Sequence, residues 1–208
     1  MTSVLLIGPG HIGGSFLTVL KEEYPDANIK VLVRSDADVD TLRKAGFTPV
    51  KGTLEDGDKI ADLSASVDVV INAADADDLP LTKAILRGLK AKHDAGRGTG
   101  SLIHTSGAMM FGDDETNGRR NPDAKVWTDS EEDIRALTPS MFHAPVDIPC
   151  YLESRRRGIR LHVHHLALWR LRPLLWSPHK ATIVPQVFRR WLHPAQRGVL
   201  CRRRNQHL

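Results

Sequence analysis

The apolar run at residues 4–7, followed at once by Gly8-Pro9-Gly10-His11-Ile12-Gly13-Gly14, limits what this chain can fold into more than any other feature. Four consecutive apolar residues bounded by glycine and proline read as a short strand buried on both faces, the habit of a parallel sheet. Behind the glycines, Ile12, Phe16, Val19 and Leu20 recur at helical spacing until Pro25 closes the segment. A buried strand, a glycine turn and an amphipathic helix in immediate succession begin a β-α-β unit.

The alternation continues down the chain. Residues 29–33 read as a second strand, 38–45 as a short helix ended by Gly46, and 48–50 as a short third strand. Residues 55–65 form a helix pattern carrying Ile60 and Leu63, and 67–73 a strong strand pattern. Leu81, Ile85, Leu86 and Leu89 mark a helix that runs out at Gly96, and residues 102–105 are another strand. Strands alternating with helices to about Ser106 predict an α/β fold with a doubly wound parallel sheet of the Rossmann type. Right-handed crossovers then bring the strand ends to one edge, where ligands bind. Residues 107–148 are polar and rich in Asp, Pro and Gly, with FGDDETNGRRNPD as a loop. Beyond residue 149 no period of 2 or 3.6 is sustained, so the C-terminal part of the fold is expected to be truncated or irregular.

Charge divides the chain at the same place. Its net charge is +4, but residues 150–208 hold 13 of the 29 Lys+Arg and one acid, Glu153. That leaves 16 bases against 24 acids in residues 1–149, so the basic character belongs to the tail alone. Two regions are expected: residues 1–148 as a dinucleotide-binding domain, and 149–208 as a basic Arg/His/Trp-rich, poorly ordered tail. The two cysteines, Cys150 and Cys201, have no CxxC spacing and make no disulfide framework. The first apolar run is too short for a signal peptide or membrane span, and a soluble cytoplasmic protein is the expectation.

Gly8, Gly10 and Gly13 have the spacing GxGxxG, in the strand-to-helix context that gives the pattern meaning. Gly8 permits the tight turn, Gly10 lets the backbone approach a pyrophosphate, and Gly13 lets helix and strand pack closely. With His11 and Ile12 they form the expected cofactor loop, at a helix N-terminus whose dipole favours phosphate. The end of the second strand chooses the cofactor. NAD binders place an acid there to hold the ribose 2′-hydroxyl, whereas this chain has Arg34 and Ser35 first. Arg34 suits a 2′-phosphate and hence NADP; Asp36 leaves NAD as the alternative.

The segments VLLIGPGHIGG, VLVRS, GTLED, INAAD and LIHTSG together resemble the atypical and extended short-chain dehydrogenase/reductases, in particular NmrA-like and nucleoside-diphosphate-sugar epimerase-like proteins, over residues 3–148. The resemblance implies NAD(P) binding and a small-molecule carbonyl or hydroxyl substrate. It places Leu54 against the adenine, with Thr53 where many relatives carry Asp. It places Asn72, Ala73 and Ala74 beside the cofactor ribose, and Ser106 at the substrate oxygen. The family's catalytic Tyr, with a Lys four residues on, has no clean counterpart: Tyr151 is followed by Arg155, and arginine does not titrate. FHAPVDI, with His143 and Asp147, resembles the segment that fills this place in members lacking the pair, which makes Asp147 a further active-site candidate. The resemblance thus implies either an oxidoreductase or epimerase, or a sensor that binds the dinucleotide without turnover.

The tail admits several readings. Its charge, with Trp169, Trp176 and Trp191 interleaved, suits nucleic acid, but the arginines form no helical stripe and match no reading module. His162, His164 and His165 lack a nearby carboxylate or cysteine, so no metal is expected. Pro173 breaks the one membrane-like stretch. The absence of binary pattern fits out-of-frame translation best.

Overall fold

Alternate positions along the strands decide which face of the sheet each side chain fills. In the computed structural model, which describes residues 2–112, 122–157 and 159–166, Val4 and Leu6 of the first strand, β1 (Ser3–Ile7), join one core, and Leu5 and Ile7 the other. All four are fully buried. Burial on both faces explains the unbroken apolar run.

Five strands lie parallel to β1: β2 (Asn28–Val33), β3 (Thr48–Lys51), β4 (Val69–Asn72), β5 (Ser101–Gly107) and β6 (Arg160–Leu166). Their order is β3-β2-β1-β4-β5-β6. On one face α1 (His11–Glu23) buries Phe16, Leu17 and Leu20, and α2 (Asp36–Lys44) adds Val39 and Leu42. On the other, α3 (Gly57–Ala65) buries Ile60, and α4 (Leu79–Asp94) buries Leu81, Ile85 and Leu89. Asp78 caps α4, its Oδ1 accepting from the Leu81 N–H at 2.8 Å. The order reverses between β1 and β4, and a doubly wound sheet opens its ligand crevice there, at the carboxyl ends of the strands.

The chain beyond Ser106 departs from its sequence reading. Residues 107–148, where only FGDDETNGRRNPD was expected as a loop and no further element, contain a 3-10 turn (Ala108–Phe111), the short α5 (Glu131–Arg135) and the start of α6 (Ala144–Arg157). The expected boundary at residue 148 falls inside α6, which contains Pro149 and packs Val146 and Cys150 on the core. β6 then extends the sheet. Ile159, Leu161 and Val163 pack on the same core, a period of 2 masked in the sequence by the intervening Arg160 and His162. The described fold thus runs through Leu166, not to residue 148. Trp169, Trp176, Trp191 and Cys201 lie outside the described residues, as do the side chains of Arg155, His162, His164 and His165. Among the described residues no helix is long and apolar enough to cross a membrane.

Candidate functional site

The glycine loop sits at the switch point, and each glycine has a different reason to be there. Gly8 leaves β1 at φ +86°, and a Cβ there would lie 2.4 Å from the Ala74 Cα. A Cβ on Gly13 would lie 2.0 Å from the Gly8 carbonyl oxygen and 3.2 Å from the Leu6 side chain. These contacts draw strand, turn and helix together. Gly10 differs: a Cβ there would meet nothing within 4 Å, so its outer side is bare backbone. α1 starts from Gly10 with no side-chain cap and no acid in its first turn. The N–H groups of His11, Ile12 and Gly13 thus open the helix at its positive dipole end, a seat suited to a diphosphate.

The neighbouring strand ends share this edge. Arg34, after β2, is exposed and makes no ion pair or hydrogen bond among the described residues. Ser35 instead caps α2: its Oγ accepts from the Asp38 N–H at 3.1 Å and donates to Asp38 Oδ2 at 2.7 Å. Asp36 lies 2.7 Å from Lys51 Nζ, and Lys51 is the register partner of Val33, so two cations flank this edge and its acid is already paired. Leu54, in the loop after β3, is half-buried against the core. Ala73 continues the pairing with β1, its N–H donating to the Ile7 carbonyl at 2.9 Å, and Ala74 backs Gly8. Asn72 is buried and turns inward: its Oδ1 accepts from the Ala74 N–H at 3.3 Å.

That amide orientation fixes the next link. Asn72 Nδ2 faces His104 Nδ1 at 3.1 Å, so Nδ1 is the acceptor and the His104 proton sits on Nε2. Nε2 lies 3.3 Å from Asp147 Oδ1, and the Ser106 hydroxyl donates to Asp147 Oδ2 at 2.7 Å. All four residues are at most 3% exposed. The structure thus joins Ser106 and Asp147 directly and adds His104, which the sequence reading missed. The signal was present: His104 stands among apolar residues of a buried strand, where an imidazole needs partners.

Tyr151 lies one turn beyond Asp147. Burial above all, then the nearby Asp147 and Cys150, push its phenol up to about 12, the opposite of what a catalytic phenol needs. Burial, with Asp147, also pushes the Cys150 thiol far above its usual range. Tyr24 is at the far end of α1, away from these strand ends.

A second pair crosses the edge at His143, which the resemblance of FHAPVDI named without assigning it a role of its own. His143 Nδ1 lies 2.7 Å from Asp77 Oδ1, linking the start of α6 to the loop after β4. Next to it is a cleft of about 520 Å³ whose wall includes Met110, Phe111, Trp127, Met141 and Phe142. Lys125 lies over the Trp127 ring, 4.0 Å from its centroid, and pairs with Asp133 at 2.7 Å. That bond first, then those from Thr128, hold the Asp133 carboxyl well below its usual range.

Known proteins resemble this architecture. No family model matches the chain. The curated oxidase ucsJ of an Acremonium species is 35% identical over 108 residues, which are 50% of this chain and 30% of that protein. The Bordetella bronchiseptica enzyme WbmH, in complex with NAD+, is similar over 80% of this chain and 56% of its own, at 17% identity and a TM-score of 0.52. The dTDP-glucose 4,6-dehydratase of Bacillus anthracis, in complex with NAD, is similar over 78% and 54%, at 17% identity and a TM-score of 0.51. This chain thus spans less than a third of the curated relative and just over half of each structure. What it shares with the two solved structures is the doubly wound parallel fold.

Proposed function

We propose that this chain binds a nicotinamide dinucleotide, NADP in preference to NAD, and acts on a carbonyl or hydroxyl group of a small molecule. The observation that carries the reading is the division of labour among the glycines. Gly8 and Gly13 are locked against protein, while Gly10 presents open backbone at the uncapped start of α1. The nicotinamide, when bound, supplies or takes a hydride. The chain's part is to hold the diphosphate on the first-turn amides of α1 and to stack the crevice wall from Leu54, Ala73 and Ala74. Arg34 and Lys51 favour the 2′-phosphate: one is unpartnered among the described residues, and the other neutralises the acid that would select a ribose 2′-hydroxyl. Ser106 and Asp147, buried and bonded to each other, set the end of β5 beside the substrate.

Thermal unfolding without ligand, with NADH and with NADPH tests this reading. Ligand at 100 times its Kd stabilises by about 2.7 kcal/mol. A larger rise with NADPH is expected, and no rise with either dinucleotide would end the proposal.

A second reading, an NmrA-like sensor that binds without turnover, is favoured by the raised phenol of Tyr151. Steady NADPH oxidation with a panel of carbonyl compounds excludes the sensor; binding without oxidation supports it.

A further inference from the structure

His143 is the one non-glycine residue with positive φ, +64°, among the described residues. That conformation crowds a β-carbon, and side chains held in it cluster at functional positions. The backbone there begins α6: the His143 carbonyl accepts from the N–H groups of Val146 and Asp147 at 3.0 and 3.1 Å. The ring is thereby thrown back over the end of β5, where a Cβ on Gly107 would lie 2.3 Å from Nε2. Its Nδ1 is held by Asp77 at 2.7 Å. Nε2 has no hydrogen-bond partner among the described residues, although the side chain is only 12% exposed. An imidazole gripped by a carboxylate on one nitrogen, with the other nitrogen available at a ligand-binding edge, is built for proton exchange.

The cleft adjoins this contact through Phe142, a lining residue whose ring centroid lies 4.8 Å from that of His143. Gly107 leads through Ala108 into Met109, Met110 and Phe111, and Met141 and Phe142 run directly into His143. Trp127 closes the third side, 5.4 Å from Phe111 between ring centroids. Met109 and Phe142 remain more than 60% exposed at the surface. Thioethers and aromatic rings, with Asp123, Lys125 and Ser140 lining the same cleft, favour a flat guest that carries a polar group.

We propose that His143, positioned by Asp77, is the group that exchanges a proton with the substrate oxygen, and that the substrate is an aromatic ketone or the matching alcohol seated in this cleft. The inference rests on the dinucleotide reading above. In the oxidative direction the hydroxyl O–H proton passes to Nε2. The carbinol C–H leaves as hydride to oxidised NADP, and the C–O bond becomes a carbonyl; reduction is the reverse. Asp77 Oδ1 accepts from Nδ1, which leaves Nε2 as the nitrogen that can accept.

The test uses the full chain saturated with NADP+, its binding followed by thermal shift, and 2-acetylnaphthalene as probe. Ketone binding is read from Trp127 fluorescence as the difference between the chain and W127F, so it needs no turnover. Turnover is then measured with NADPH as hydride donor and the ketone as acceptor, for the chain, H143N and D77N; asparagine tolerates positive φ and keeps the backbone start of α6. The expected result is ketone binding within about twofold in H143N and D77N. Turnover should fall about 100-fold or more in H143N, the usual loss of a positioned acid–base group, and less in D77N. Retained turnover in H143N, binding with no His143-dependent turnover, or no Trp127-dependent binding each overturns the proposal. A chain that shows no shift with NADP+ fails at the dinucleotide reading instead, a separate result.

Discussion

The two halves of the crevice are made of different material. The β1–α1 side is built from backbone: three glycines, a bare helix start, and contacts spanning a few residues, save for Ala74. The β4–β5–α6 side is built from side chains that meet across 32, 41 and 66 positions, in the pairs Asn72–His104, Ser106–Asp147 and Asp77–His143. A backbone site tolerates no added atoms, whereas a side-chain site tolerates no lost ones.

That contrast is broken or confirmed most sharply at the loop. Gly13→Val sets new carbon against the Gly8 carbonyl, which cannot move without opening β1 from α1. A loss of more than about 3 kcal/mol is expected, at or beyond the upper end for overpacking, with dinucleotide binding abolished. Gly10→Ala adds an atom into open space. Stability should change by less than about 0.5 kcal/mol while dinucleotide affinity falls. Equal damage from both variants in urea unfolding would mean the loop is packed throughout and is no ligand surface.

On the other side the matching change is a deletion. Asp147→Ala leaves the Ser106 hydroxyl buried without its acceptor and removes the carboxylate 3.3 Å from His104 Nε2, an atom that itself has no hydrogen-bond partner among the described residues. A stranded buried hydroxyl costs about 1–3 kcal/mol, so a loss within that range is expected. Ser106→Ala on the Asp147→Ala background should recover part of it. Absence of recovery would show that the two residues do not act through one bond.

The same contrast explains what could be read in advance. Strands β1 to β5 and helices α1 to α4 were legible because each carries its own period, and the loop because its glycines are contiguous. His104 was not recognised as a site residue, and His143, though named in FHAPVDI, was given no role, since nothing local shows which histidine will meet Asn72, Asp147 or Asp77 across the fold. β6 was missed because Arg160 and His162 interrupt Ile159, Leu161 and Val163, although only alternate positions need to be apolar. α6 was missed because Pro149 argues against a helix.

Smaller effects sharpen the backbone side. Arg34→Ala removes the cation expected at a 2′-phosphate without touching packing, since the residue is exposed. NADPH affinity should fall about tenfold, equivalent to about 1.4 kcal/mol, while NADH affinity holds. An equal fall for both would place Arg34 at the diphosphate. Ser35→Ala removes the α2 cap and should cost about 1 kcal/mol in chemical unfolding with little change in the NADPH-to-NADH ratio.

The smallest effect near neutral pH belongs to Tyr151. Its phenol is raised from an ordinary 10 to about 12, because burial, Asp147 and Cys150 all oppose a phenolate. The unfolded chain therefore loses this proton first. The contribution to stability is complete below pH 10 and declines as pH rises from 10 towards 12, the sign for an acid whose native form holds its proton more tightly. The chain has two tyrosines, so in Tyr24→Phe the phenolate absorbance reports Tyr151 alone. Its midpoint should stand near 10 in denaturant and well above that in the folded protein. Tyr151→Phe should leave turnover and neutral-pH stability almost unchanged, because a phenol that keeps its proton at neutral pH is a poor general base. A folded-state midpoint near 8, with turnover lost in the phenylalanine variant, would move the proton-exchanging role from His143 to Tyr151. It would also mean that the side-chain half of the crevice works as the resemblance to the tyrosine-dependent enzymes implies.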